Sequence, residues 1–183
     1  LNRQTLFARL PNSRRGARKV KPSFPQPSLT KAEIQSERIR ILRESIPRLD
    51  AYEDLRSAGQ LLVHACRRFM GGGNVELVSQ FGWSVEENDP LLSKRTNLPN
   101  YRGSPLIKWR RYEFMVLELQ HLIPRSNNIL TLKTFGDSLL FAARQAYHYA
   151  SLVPTEEESG AVIFSEEEVN FLLEFDEWVK RPR

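Results

Sequence analysis

Six apolar residues, Ala51, Leu55, Ala58, Leu62, Ala65 and Phe69, recur at steps of three and four along one uninterrupted segment. That spacing follows the turn of an α-helix and puts all six on one stripe. Such a stripe must be buried against other elements, so it constrains the whole chain and not only its own segment. DAYE, Asp50 to Glu53, supplies a start signal ahead of it. GGGN, Gly71 to Asn74, supplies the stop, with glycine suited to a left-handed C-terminal cap.

Four more segments carry the same signature. TKAE, Thr30 to Glu33, matches a capping box, in which threonine and glutamate satisfy orphan amide donors at a helix start. Behind it Ile39, Leu42 and Ile46 form a stripe with Ile34 and Ile41 beside it, and Arg38, Arg40 and Arg43 crowd the other faces until Pro47 ends or kinks the helix. Ser104-Pro105 reads as an N-cap followed by proline at the first helical position. Trp109, Tyr112, Val116, Leu119 and Ile123 then share one stripe up to Pro124. Leu139, Ala143, Ala146, Tyr147 and Ala150 mark a further helix before Pro154. SEEE, Ser165 to Glu168, is a second capping box, leading into Val169, Leu172, Leu173, Phe175 and Val179. Phe171, Phe175 and Trp178 make a second stripe there, so the apolar arc is wide, and we read it as core rather than as a surface for a partner.

The remaining stretches are less decided. NVELVSQFGW reads as a short helix, and residues 84–103, polar and rich in Asn, Pro and Ser, read as a long loop. ILTLKTF, Ile129 to Phe135, alternates like a strand or opens the next helix. No internal repeat is evident. The expected fold is mainly α: an irregular bundle of about five helices over residues 29–183, with at most one small β element.

Residues 1–28 differ in kind from this body. RRGARKVKPSFPQP, Arg14 to Pro27, holds five positive charges, no negative ones and three prolines. It cannot bury a core, and its prolines favour an extended, polyproline-like path. Residues 1–31 hold eight Lys/Arg and no acid, whereas residues 151–183 hold three basic against nine acidic residues. The chain is thus a basic head on an acidic tail, and the head suits a polyanion. Arg3, Arg9, Arg14, Arg15, Arg18, Lys19 and Lys21 are the candidate RNA-binding cations of this arm. Lys108, Arg110 and Arg111, in KWRRY, are read as outward-facing cations that extend the basic surface, with Trp109 and Tyr112 turned to the core.

Catalytic and metal chemistry find no constellation. Cys66 is the single cysteine, which excludes an internal disulfide and Cys₂ or Cys₄ zinc sites. His64 and Cys66 are two apart, so a helix points them to different sides. Asp137, Ser138 and His148 supply the residue types of a triad, but no G-x-S-x-G surrounds the serine. The glycines at 71–73 lack the following G-K-[ST] of a phosphate loop. Glu156–Glu158 and Glu166–Glu168 are acidic triplets whose members point apart on a helix. The expectation is therefore no enzyme, no cofactor, no metal and no small-molecule substrate. No apolar run is long enough to span a bilayer.

In layout, a helical body behind an extended basic arm, the chain resembles ribosomal and other ribonucleoprotein subunits. The likeness is architectural, rests on the first ~30 residues and assigns no residue. It implies a structural subunit of a large RNA–protein assembly, with rRNA along the arm and protein neighbours around the body. LNRQTLFARL, Leu1 to Leu10, has the amphipathic, acid-free character of a transit peptide, and the start at Leu1 instead of Met fits one already processed. With the lone cysteine, this makes the mitochondrial matrix, and a mitochondrial ribosome, the expected setting. The alternative is an accessory subunit of a membrane-associated mitochondrial complex, its arm lying over acidic protein surfaces or lipid headgroups.

Overall fold

The computed structural model describes residues 30–71, 75–94, 103–153 and 165–180. They are mainly α: α1 (Lys31–Ser45), α2 (Tyr52–Met70), α3 (Val75–Gln80), α4 (Pro90–Ser93), α5 (Pro105–Leu122), α6 (Ile129–Ala150) and α7 (Glu166–Lys180). The five long helices are the five expected; α3 is the short helix read at NVELVSQFGW, and α4 lies in the stretch read as loop. Among the described residues the only β pairing is an isolated parallel bridge between Ser84 and Asn128.

Both capping boxes form. Thr30 Oγ1 accepts from Glu33 N and the Glu33 carboxylate accepts from Thr30 N. Those bonds hold the Glu33 carboxyl below its usual range, since they favour the charged form. Ser165 and Glu168 repeat the arrangement at α7. The start of α2 is different from the DAYE reading: Ala51 is the N-cap and makes no side-chain cap bond. The helix stops at Gly71 as expected, with φ −61°, and the two glycines after it lie outside the described residues. Among the described residues the left-handed glycine is Gly82, φ 80°, just after α3.

ILTLKTF is helical. Ile129, Leu132, Phe135 and Leu139 continue one three- and four-residue spacing and all are fully buried. Asn128 sets the start, its Oδ1 accepting from Leu130 N at 2.9 Å and Thr131 N at 3.4 Å while its Nδ2 donates to Glu86 O. The stretch after Ser84 is pinned to the same helix start. Ser84 N donates to Asn127 O, Ile129 N donates to Ser84 O, and Thr131 Oγ1 donates to Asp89 Oδ2 at 2.7 Å. Asp89 in turn caps α4 through Leu91 N.

α2 and α6 form the central pair, α1 flanks α2, and α5 flanks α6. The halves are alike. α1 and α5 both end in an Ile-Pro-Arg 3₁₀ turn, Ile46–Arg48 and Ile123–Arg125, from which α2 and α6 depart. Laid over one another with the IPR triplets in register, Leu55 falls on Leu132, Gly59 on Gly136, Leu62 on Leu139, and Ala65 on Ala142. Upstream, Ile39 falls on Val116 and Leu42 on Leu119. The contacts are reciprocal too: a Cβ on Gly59 would meet Gly136 O and Leu140 N, and one on Gly136 would meet Gly59 O and Val63 N. The body is a pair of equivalent helical hairpins, an internal repeat hidden by divergent surface residues.

The buried core follows this pattern, with Ile39, Ile46, Leu55, Leu62, Leu119, Ile123, Leu132, Phe135 and Leu139 in one cluster. Tyr147, expected on the α6 stripe, is exposed, because it lies about 80° around the helix from Leu139. α7 packs on α5 with Phe171 buried, while Leu173 is exposed. The side chains of Phe175, Trp178 and Val179 lie outside the described residues.

Candidate functional site

Arg3, Arg9, Arg14, Arg15, Arg18, Lys19 and Lys21 lie outside the described residues, as do Arg95, Arg102 and Glu156–Glu158. The arm's attachment point is described. Thr30 caps α1, and Lys31 opens it.

Lys108, Arg110 and Arg111 do not face freely outward; each is half-buried and engaged inside the fold. The Lys108 ammonium stands 5.3 Å over the Tyr149 ring. Arg110 pairs with Glu113 at 2.7 Å and stacks over Trp109. Arg111 lies over Tyr112. Trp109 and Tyr112 are half-buried, and Tyr112 packs against the core cluster. Trp109 Nε1 donates to Tyr52 Oη at 2.9 Å, tying α5 to the first turn of α2. Burial pushes the Tyr52 phenol up, with the Glu113 carboxylate adding to it and the Trp109 bond opposing. Tyr112 stacks on Tyr149 and meets Phe141 edge-on. Lys108, Trp109 and Tyr112 thus join α5 to α6 and α2, whereas Arg110 contacts Glu113 and Trp109, and Arg111 contacts Tyr112, within α5 itself.

The arginines of α1 divide into two kinds. Arg40 donates to Phe81 O, and Arg43 donates to Ser126 O and Asn127 Oδ1 while covering Trp83. These staple α1 to the α3 turn and to the joint before α6. Arg38 instead lines a groove between α1 and α2, with Arg68 opposite, and neither has an ion-pair partner among the described residues. The floor is Ile41, Leu42, Leu61 and Ala65, and the cavity holds about 470 Å³. Ile41 and Leu61 are 55% and 57% exposed. A second cavity of about 530 Å³ continues toward Lys31 and Phe69, sharing Gln35 and Arg68 with the first. Among the described residues no acid lines either cavity. Sequence reading did not find this groove; Ile41, apolar but off the buried stripe, was its trace.

The residue types of a triad do not meet. Asp137 is paired with Lys133 at 3.4 Å, whereas His148 sits exposed near the end of α6 against Tyr149. They are eleven residues apart on one helix, about 16 Å along its axis. His64 is exposed on the groove wall and Cys66 is buried, its thiol pushed up to about 12 by desolvation. A thiol so shifted stays protonated and is a poor nucleophile or metal ligand. Among the described residues no group of three or more His, Cys, Asp or Glu is placed to hold a metal ion. Glu168, in the second acidic triplet, is occupied by its capping box and by Ser104 N. No described helix is long and apolar enough to cross a membrane.

Comparison with known proteins returns no matching family model, no similar curated protein and no matching solved structure.

Proposed function

We propose that this chain is a non-catalytic structural subunit of a large ribonucleoprotein assembly, with a mitochondrial ribosome as the setting. Its arm binds rRNA through Arg3, Arg9, Arg14, Arg15, Arg18, Lys19 and Lys21, and its helical body packs on protein neighbours. The observation that carries this reading is charge continuity. Residues 1–28 hold seven cations and no acid, and Lys31 follows at the opening of α1. Phosphates neutralised along such a path release condensed counterions, which favours a nucleic acid over a small anion. The engagement of Lys108, Arg110 and Arg111 within the fold leaves the arm as the main contact with RNA. The separation of Asp137 from His148 and the protonated Cys66 thiol support a non-catalytic role.

The test is the salt dependence of binding to a structured rRNA fragment. The full chain binds with log K falling steeply against log salt, and removal of residues 1–28 flattens the slope by several units. Equal affinity and slope after removal overturn the arm as the RNA contact. Binding to anionic vesicles and not to RNA supports instead an accessory subunit of a membrane-associated complex.

A further inference from the structure

The α1–α2 groove has an unusual mixture of chemistry. Its floor keeps Ile41 and Leu61 more than half exposed, yet its walls carry Arg38, Arg68 and Lys31 with no acid. Water is a poor occupant for such a floor, and paired phosphates are a poor match for it, because aliphatic side chains give a nucleic acid neither stacking nor hydrogen bonds. Along α1 the two cavities run from Lys31 to Leu42, about 17 Å, which is the length of roughly three helical turns. Gln35 stands where they join, and its Oε1 makes no hydrogen bond.

In the register set by the IPR triplets, Arg38 and Ile41 of α1 correspond to Met115 and Glu118 of α5. Those counterparts are 8% and 5% exposed, with Met115 inside the core cluster, so the first hairpin is the more open one at this level. α7 is an amphipathic segment, EEEVNFLLEFDEWVK, with six acids against one lysine. α7 packs on α5 within this chain, whereas α1 and α2 present an apolar floor bordered by Lys31, Arg38 and Arg68.

We propose that the α1–α2 groove is the docking site for an acidic amphipathic helix of a partner protein, whose charge complements Lys31, Arg38 and Arg68. Leucine-type side chains at helical spacing would fill the floor over Ile41, Leu61 and Ala65, and flanking carboxylates would pair with Arg38 and Arg68. This rests on the part of the functional reading in which the body packs on protein neighbours, and it does not depend on the RNA.

The probe is a synthetic peptide with the sequence of residues 165–180, titrated against the full chain. Binding in the micromolar range is expected, weakened about tenfold or more by Arg38→Glu with Arg68→Glu, and separately by Leu61→Glu. Both sets lie on exposed positions, and unchanged circular dichroism and melting confirm the fold. Restored affinity of the double variant for a peptide with its acids changed to lysine supports the pairing directly. Equal binding of acidic and lysine peptides to the natural chain, or no loss in the variants, overturns the proposal. Self-association abolished by the same substitutions also overturns it, since the occupant is then a second copy. Loss of RNA affinity in the groove variants with no change in peptide binding assigns the groove to RNA. The arm is read separately by removing residues 1–28, so either reading can fail alone.

Discussion

Gly59 and Gly136 meet backbone to backbone where α2 crosses α6. A Cβ on Gly59 would stand 2.9 Å from Gly136 O and 2.9 Å from Leu140 N, and one on Gly136 would stand 2.9 Å from a Val63 methyl. The central pair can pack this closely only because both positions lack a side chain. Gly59→Ala should therefore destabilise by about 1–3 kcal/mol, the usual cost of overpacking, although alanine favours a helix by about 1 kcal/mol over glycine. Urea denaturation measures this, with exposed Gln60→Ala as the near-neutral control. A Gly59→Ala protein as stable as the natural one would show that close approach does not hold this pair together.

Trp83 is tied to α1 by one buried bond, its Nε1 donating to Ser36 Oγ at 2.9 Å. Ser36→Ala leaves the indole N–H without its acceptor, at a cost of about 1–3 kcal/mol. Trp83→Phe in the Ser36→Ala background should cost less than Trp83→Phe alone, with a coupling of about 1 kcal/mol in a double-mutant cycle. Additive effects would count against the bond.

Gln120 does for the first hairpin what no local residue does. Its Nε2 donates to Ile46 O at 2.9 Å and to Leu49 O at 2.8 Å, closing the end of the 3₁₀ turn. Gln120→Leu keeps the volume and removes the donor, and about 1–3 kcal/mol of stability is expected to go with it. Gln120→Glu should be worse, since a carboxylate turned on two carbonyl oxygens adds repulsion to desolvation. Thermal melts that rank the two variants the other way round would contradict this role.

Cys66 is fully buried, and desolvation pushes its thiol up to about 12. An unfolded thiol ionises near pH 8.5, so the folded form holds the proton more tightly. Stability from this difference is complete below about pH 8.5 and is lost as pH rises from there through the folded value. Ellman's reagent at pH 8 should leave the native thiol unmodified and react at once in denaturant. Cys66→Ala, which copies the equivalent Ala143 of the second hairpin, should lose less stability on alkalinisation than the natural chain. Rapid native modification would place the thiol at the surface.

Arg110 is committed to Glu113 and Trp109, so its removal should act on the fold before it acts on RNA. Arg110→Ala is expected to change the salt slope of RNA binding by less than about one unit, against several units for loss of the arm. A slope change of one unit or more for Arg110→Ala, with stability unaltered, would return this residue to the RNA surface.

Much of the fold was legible because its signals are local. TKAE and SEEE cap helices through bonds three residues apart, and the α2 stripe repeats within one segment, so neither needs a neighbour to be read. ILTLKTF was ambiguous for the same reason: seven residues fit two periods, and Asn128 with the buried run to Leu139 settles it only in context. The internal repeat escaped notice because the shared positions are core and turn residues, such as Leu55 and Leu132 or Gly59 and Gly136, scattered among surface residues free to diverge. KWRRY is ambiguous in the same way, because a cation and an aromatic interleaved on a helix look alike whether they face solvent or a second helix.

The sequence by itself determined which segments are helices, how most of them begin, and that a basic arm precedes a largely helical body with an acidic end. Those properties follow from interactions within one or two turns and from charge summed along the chain. The tertiary structure decided which cations are spent within the fold and which hairpin is left open. Lys108 of α5 finds Tyr149 of α6, while Arg38 and Arg68 border exposed Ile41 and Leu61. That division depends on which helix lies against which, and long-range packing of this kind leaves no period in the chain to read.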